Sequence, residues 1–142
     1  MEFNLTKLDI TNMAMAMGEE RAVADQKLNE FLQENNLTAE RNFIFDFVIK
    51  QGGKVKTLYL SYAAINQEVK GKNGIKTLKL KNNNFLHFTV NKAEYNDFIL
   101  GDDFKKVSQY MKDNNLDNDV SALFGLTEII GDEYNFYLPY KK

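Results

Sequence analysis

Among the side chains able to do chemistry, the chain's single histidine comes first. His87 stands in FLHFTV, where strand alternation gives it a common face with Phe85 and Thr89. A lone histidine on an apolar strand is more often packed and hydrogen-bonded than a base or metal ligand. Two carboxylates, Asp46 and Glu128, also fall in apolar strand-like runs. Either would suit proton transfer or cation binding if buried. The neighbours of Asp46 on both sides are apolar and face the other way, so Asp46 is expected to point to solvent. For Glu128 both readings stay open. Five tyrosines, Tyr59, Tyr62, Tyr134, Tyr137 and Tyr140, cluster in the runs TLYLSY and YNFYLPY. An apolar ring with a polar tip suits a surface for flat or cationic ligands or for a protein partner, although ordinary core and strand-surface aromatics give the same pattern.

Other chemistries lack their residues. There is no cysteine, which removes disulfides, thiolate zinc sites and cysteine catalysis together. No His or carboxylate spacing matches a metal site. The segment Gly71–Gly74, GKNG, lacks the Gly-Lys-Ser/Thr pattern of a phosphate loop, and Ser61 and Ser121 lack the surroundings of a nucleophile elbow. The expectation is therefore no catalytic residue, no cofactor and no metal. The formal charge is −2, with lysines interleaved among carboxylates, so no nucleic-acid partner is expected. No apolar run approaches a membrane span and the N-terminus has no signal-peptide pattern, so the expected location is the cytoplasm with no membrane partner. The chain starts at Met1 and ends without a recognisable tail, so a complete gene product is expected.

These residues need elements to hold them, and the elements repeat. LNEFLQENNL (Leu28–Leu37) matches VSQYMKDNNL (Val107–Leu116) at a spacing of 79. TLYLSY (Thr57–Tyr62) matches NFYLPY (Asn135–Tyr140) at 78, and Gly53 and Gly131 are also 78 apart. The spacing predicts a duplication, with a first repeat over about 1–65 and a second over about 75–142 in one domain. In the first repeat, Met13, Met15 and Met17 alternate as in a strand. A helix follows from about Glu20 to Glu34, with Ala24, Leu28, Phe31 and Leu32 on one stripe and Asn35–Asn36 as its stop. Phe43, Phe45, Phe47 and Ile49 share a strand face, Gly52–Gly53 turns the chain, and Thr57–Ile65 returns.

Asn66–Gly74 joins the repeats. In the second, Ile75–Leu80 and Phe85–Val90 read as strands with a turn or bulge at Asn82–Asn84. NKAEYNDFIL, with Tyr95 and Phe98, reads as a loop over a pocket. Asp102 is the expected cap of a helix ending at Asn114–Asn115, and a hairpin follows with strands Ser121–Ile130 and Tyr134–Tyr140.

This order, strand–helix–strand–strand twice, each half closing in YLSY or YLPY, resembles the gyrase-inhibitor-like family, which includes effector-binding domains of bacterial multidrug-responsive transcription activators. The resemblance is most specific at NFYLPYKK and covers nearly the whole chain. It implies an α+β fold: duplicated βαββ units sharing a curved antiparallel sheet, two helices on one face and a groove between the halves. In the family a Glu or Asp four residues before the Pro commonly supplies negative charge in that groove. Here the position holds Asn135, and its counterpart in the first half is Thr57. The loss of that acid argues against the family's usual cation recognition. It also argues, with the absence of Trp, against the cyclopropane hydrolysis some relatives perform. No helix-turn-helix accompanies the domain in this chain.

Two non-catalytic roles remain. The first is a stand-alone module that senses or sequesters a small aromatic or amphipathic molecule. Its expected ligand-binding residues are Tyr59, Tyr62, His87, Glu128, Asn135 and Tyr137, with Tyr59 the duplicate of Tyr137. The second is a protein-binding adaptor or inhibitor, of the kind encoded beside secreted toxins in some bacteria. The Lys- and Asn-rich composition suits a low-GC bacterium.

Overall fold

The computed structural model describes residues 1–101, 103–121 and 123–142, with the side chains of all of these except Asn82, Ile99 and Leu100. The chain is α+β, and every described strand register within its two compact units is antiparallel. In chain order the elements are β1 (Asn4–Gly18), α1 (Arg21–Glu34), β2 (Ala39–Gln51), β3 (Lys54–Ile65) and β4 (Lys76–Asn91). A 3-10 turn (Lys92–Glu94) then leads to α2 (Tyr95–Leu100), α3 (Phe104–Asp113), β5 (Asp117–Asn118), β6 (Leu126–Ile130) and β7 (Glu133–Lys141). The first unit is Asp9–Asn82; the second is Met1–Leu8 with Asn83–Lys142. The boundary between these ranges falls within β1 and within β4.

The first unit is a βαββ arrangement. β3 lies between β1 and β2, pairing Met15 with Tyr62 on one side and Phe43 with Tyr62 on the other. α1 covers one face: Leu28, Phe31 and Leu32 pack with Ala14, Ala16 and Ala63. Three alanines let the helix approach the strands closely, and the same closeness explains Gly18. A Cβ there would come within 2.9 Å of the Ala24 backbone nitrogen, so only glycine allows the tight passage from β1 into α1. The β2–β3 turn places Gly52 and Gly53 at φ of 57° and 76°, the left-handed pair that a two-residue hairpin requires.

The second unit repeats the logic with additions. β7 is flanked by β4 and β6, and β5 pairs with its end at Asp117–Lys141 and Asn118–Tyr140. Phe88 of β4 and Phe136 of β7 stack at 5.0 Å and both meet Phe98 of α2, which fixes the helix-facing side of these strands. Val107 and Met111 are the buried stripe of α3.

The two longer helices end alike. After α1, Leu37 N–H donates to the Leu32 carbonyl at 2.8 Å and Asn36 N–H to Gln33 at 3.2 Å, with Asn36 at φ 53°. After α3, Leu116 N–H donates to Met111 at 2.8 Å and Asn115 N–H to Lys112 at 3.2 Å, with Asn115 at φ 57°. Both are Schellman caps with a left-handed Asn and a buried Leu behind it, which is why NNL was the best-kept piece of the repeat. The expected N-terminal cap, Asp102, lies outside the described residues.

Several expectations are corrected. Asn82–Asn84 makes no turn: β4 runs unbroken through it, because strand pairing overrides the turn preference of Asn. NKAEYNDFIL is no loop but a 3-10 turn and α2, with Asn91 Oδ1 accepting from Ala93 N–H at 2.9 Å to start it. Tyr95 and Phe98 are buried in its packing against Phe136. The strand expected from Ser121 begins only at Leu126, since Asp119 holds Ser121 in a turn through both its backbone N–H and its hydroxyl. β1 starts well before the methionines, and Met13 to Ala16 are buried on both faces.

Candidate functional site

In the second unit, the side of the strands turned away from α2 carries Phe85, His87 and Thr89 on β4, Asn135, Tyr137 and Pro139 on β7, and Leu126 and Glu128 on β6. Strand alternation puts these together, and the registers align them: His87 opposite Tyr137 and Leu126 beyond it, Thr89 opposite Asn135 and Glu128 beyond it. Phe85 and Leu126 are buried, whereas His87, Thr89, Glu128, Asn135 and Tyr137 are half-buried.

The polar members are wired together. His87 Nε2 lies 3.0 Å from Asn135 Oδ1, and the Thr89 hydroxyl donates to the same oxygen at 3.3 Å. Asn135 Nδ2 donates to the Glu128 backbone carbonyl at 3.4 Å. Tyr137 is set by aromatic contacts: its ring lies along the His87 imidazole at 4.8 Å and 25°, and is met edge-on by Phe85 at 6.4 Å. The result is a flat aromatic pair beside a fixed amide. It can stack a planar group and exchange hydrogen bonds with it.

Of the residues expected to bind a ligand, the structure thus brings His87, Glu128, Asn135 and Tyr137 onto one face. Tyr59 and Tyr62 belong to the first unit, on opposite faces of β3. Tyr59 lies on the α1 side, where the Arg21 guanidinium sits 5.3 Å from its ring centre. Tyr62 lies on the other side and is 1% exposed. The relation of Tyr59 to Tyr137 also shifts. Gly52 and Gly131 share a turn position at φ 57° and 61°, so the helices, caps and hairpin turns all repeat at 79, not 78. One residue of difference reverses every face, so Tyr59 is on the helix side of its unit and Tyr137 is on the opposite side of its own.

Burial pushes the Tyr62 phenol well above the usual tyrosine range, and its hydroxyl finds no hydrogen-bond partner among the described residues. An unpaired buried hydroxyl costs stability. Tyr62→Phe is therefore expected to stabilise the protein by about 1 kcal/mol in urea unfolding. A loss of stability instead would mean that the hydroxyl is bonded.

Sequence reasoning missed a second polar cluster. Asp46 does not point freely to solvent: its side chain is 12% exposed and pairs with Arg21. Arg21 also donates to the Leu60 carbonyl at 2.5 Å and to Ser61 Oγ at 2.8 Å, and Ser61 Oγ donates to Asp25 at 2.6 Å. These contacts tie α1 to the β2–β3 hairpin. The only signal in the sequence was an arginine, one of two, at the first position of a helix. A separate cleft of about 360 Å³ in the first unit is lined by Asp9, Thr11, Glu40, Arg41, Ile65 and Asn66, among others, and by none of the expected site residues. Among the described residues no three His, Asp or Glu side chains are grouped as a metal site requires. Among them, too, no helix is long and apolar enough to cross a membrane.

The fold has solved counterparts. The C-terminal domain of EcmrR superposes with a TM-score of 0.69 at 12% identity, covering 99% of this chain and 98% of that one. SAV2435 bound to tetraphenylphosphonium gives 0.52 at 15% identity, covering 99% and 94%. At these identities the likeness is one of fold, and this chain shares an α+β fold with both. No family model matches the sequence, and no curated protein matches it.

Proposed function

We propose that this chain is a non-catalytic binding module of the gyrase-inhibitor-like group that senses or sequesters a small aromatic or amphipathic molecule in a bacterial cytoplasm. The observation that carries this reading is the half-buried His87–Tyr137 stack with Asn135 held beside it. Rings and polar groups converging on one sheet face are what an organic ligand needs. A neighbour in fold, SAV2435, is bound to tetraphenylphosphonium, which supports small-molecule binding here as well. The non-catalytic part is carried over from the residue types of the sequence, which offer no cysteine and a single histidine. Substrate turnover that disappears in Glu128→Gln would reverse it.

The test is thermal melting with tetraphenylphosphonium and a panel of neutral and cationic aromatic compounds. A ligand at a hundred times its Kd stabilises by about 2.7 kcal/mol, which raises Tm by several degrees. Tyr137→Ala is expected to remove the shift while the protein stays folded. No shift with any compound would reject the reading.

A second reading, a protein-binding adaptor, is favoured by one observation. Val120, Phe124, Ile129 and Ile130 of the second unit are all exposed. Under that reading Ile129→Glu with Ile130→Glu would abolish capture of a stoichiometric protein partner, while Tyr137→Ala would leave it intact.

A further inference from the structure

The hydrogen bonds around Asn135 decide where the proton on His87 sits. A backbone carbonyl only accepts, so the side-chain nitrogen of Asn135 must be the atom facing the Glu128 carbonyl. The amide oxygen is then the atom that faces His87 and Thr89. An amide oxygen accepts two hydrogen bonds and donates none. The Thr89 hydroxyl supplies one and His87 Nε2 the other, so Nε2 carries the hydrogen of the neutral ring. Nδ1 is left as the lone-pair nitrogen. Among the described residues nothing donates to it. The ring is half-buried, and it is held in orientation by the Tyr137 ring along its face.

We infer that His87 Nδ1 is the acceptor that sets ligand specificity, and that the ligand class is a planar aromatic heterocycle bearing an N–H donor. This rests on the small-molecule reading above and adds the polarity of the recognition. The aromatic surface of Tyr137 takes the ring plane, and Nδ1 takes the hydrogen. An isosteric ligand whose nitrogen is methylated leaves Nδ1 unpaired and brings a methyl group against it. Thr57 and the first unit supply no equivalent, because the chain has no second histidine.

Two measurements test this. With one histidine in the chain, a nitrogen-15 correlation spectrum of the imidazole reports a single tautomer without assignment ambiguity. The expected result is protonation at Nε2; protonation at Nδ1 in the neutral ring overturns the inference before any ligand is added. The second measurement compares norharmane with 9-methylnorharmane, which differ in one N–H, by calorimetry on the wild type and on His87→Phe. Norharmane is expected to bind roughly fivefold more tightly to the wild type, the worth of one net hydrogen bond. His87→Phe keeps a ring against Tyr137 and leaves Asn135 Oδ1 bonded to Thr89, so it should bind both compounds alike. Equal affinities in the wild type, or a preference that survives His87→Phe, overturns the inference. If neither β-carboline binds while tetraphenylphosphonium raises Tm, the specificity inference fails and the binding module stands. If nothing in either set binds, both fail.

Discussion

Phe88→Ala is expected to lower the free energy of unfolding by about 4 kcal/mol, at the high end for a core truncation. Phe88 is fully buried and touches three rings within its own unit: Phe136 at 5.0 Å, Phe3 at 5.6 Å and Phe98 at 5.6 Å. Removing it forfeits the transfer energy of the ring and leaves a cavity that three stiff aromatics cannot collapse into. Phe88→Leu fills part of that space and should cost about half as much. Urea titration followed by far-ultraviolet circular dichroism measures both. A cost below about 2 kcal/mol for the alanine variant would show that this aromatic layer is not the core of the unit. Phe88 faces the helices and His87 the other side, so Phe88→Leu should leave ligand affinity at 25 °C nearly unchanged.

Arg21→Ala comes next, with an expected cost of roughly 2–3 kcal/mol. The figure sits below that of a fully buried pair because the arginine and Asp46 side chains keep 26% and 12% exposure, and water screens them in part. Truncation strips Asp46 of its cation and leaves the Leu60 carbonyl and Ser61 without their guanidinium donor. Arg21→Lys restores the charge but not the planar fork that reaches β2 and β3 together, so it should recover less than half of the loss. A double-mutant cycle with Asp46→Asn is expected to show coupling above about 1 kcal/mol. Coupling near zero would mean that the two groups are paired in geometry only. Because α1 is held to its hairpin here, hydrogen exchange in Arg21–Glu34 should quicken in the variant while that of α3 does not.

The sequence was legible where the determining interactions are local. The stripe Ala24, Leu28, Phe31, Leu32 marked α1 to within a residue, and Asn36 and Asn115 marked both stops, because a Schellman cap is completed inside six consecutive residues. Gly52–Gly53 and Gly131 marked the hairpins for the same reason. NKAEYNDFIL misled, because its polar residues concealed two buried anchors, Tyr95 and Phe98, whose burial depends on rings far along the chain.

At the site the division is the same. His87, Glu128 and Tyr137 were nameable by residue type and Asn135 by the family resemblance, and their common face followed from alternation once the strands were paired. Residue types and local periodicity determined, without any coordinates, an α+β chain with two helix-bearing repeats and an aromatic, nearly neutral, cysteine-free chemistry. Only the tertiary structure decided that Asp46 meets an arginine 25 positions away, and that the repeat runs at 79. Only it could set Tyr59 and Tyr137 on opposite sides of their units. A strand has a period of two, so one residue of register exchanges its faces, and register is set by pairing partners that local sequence does not name.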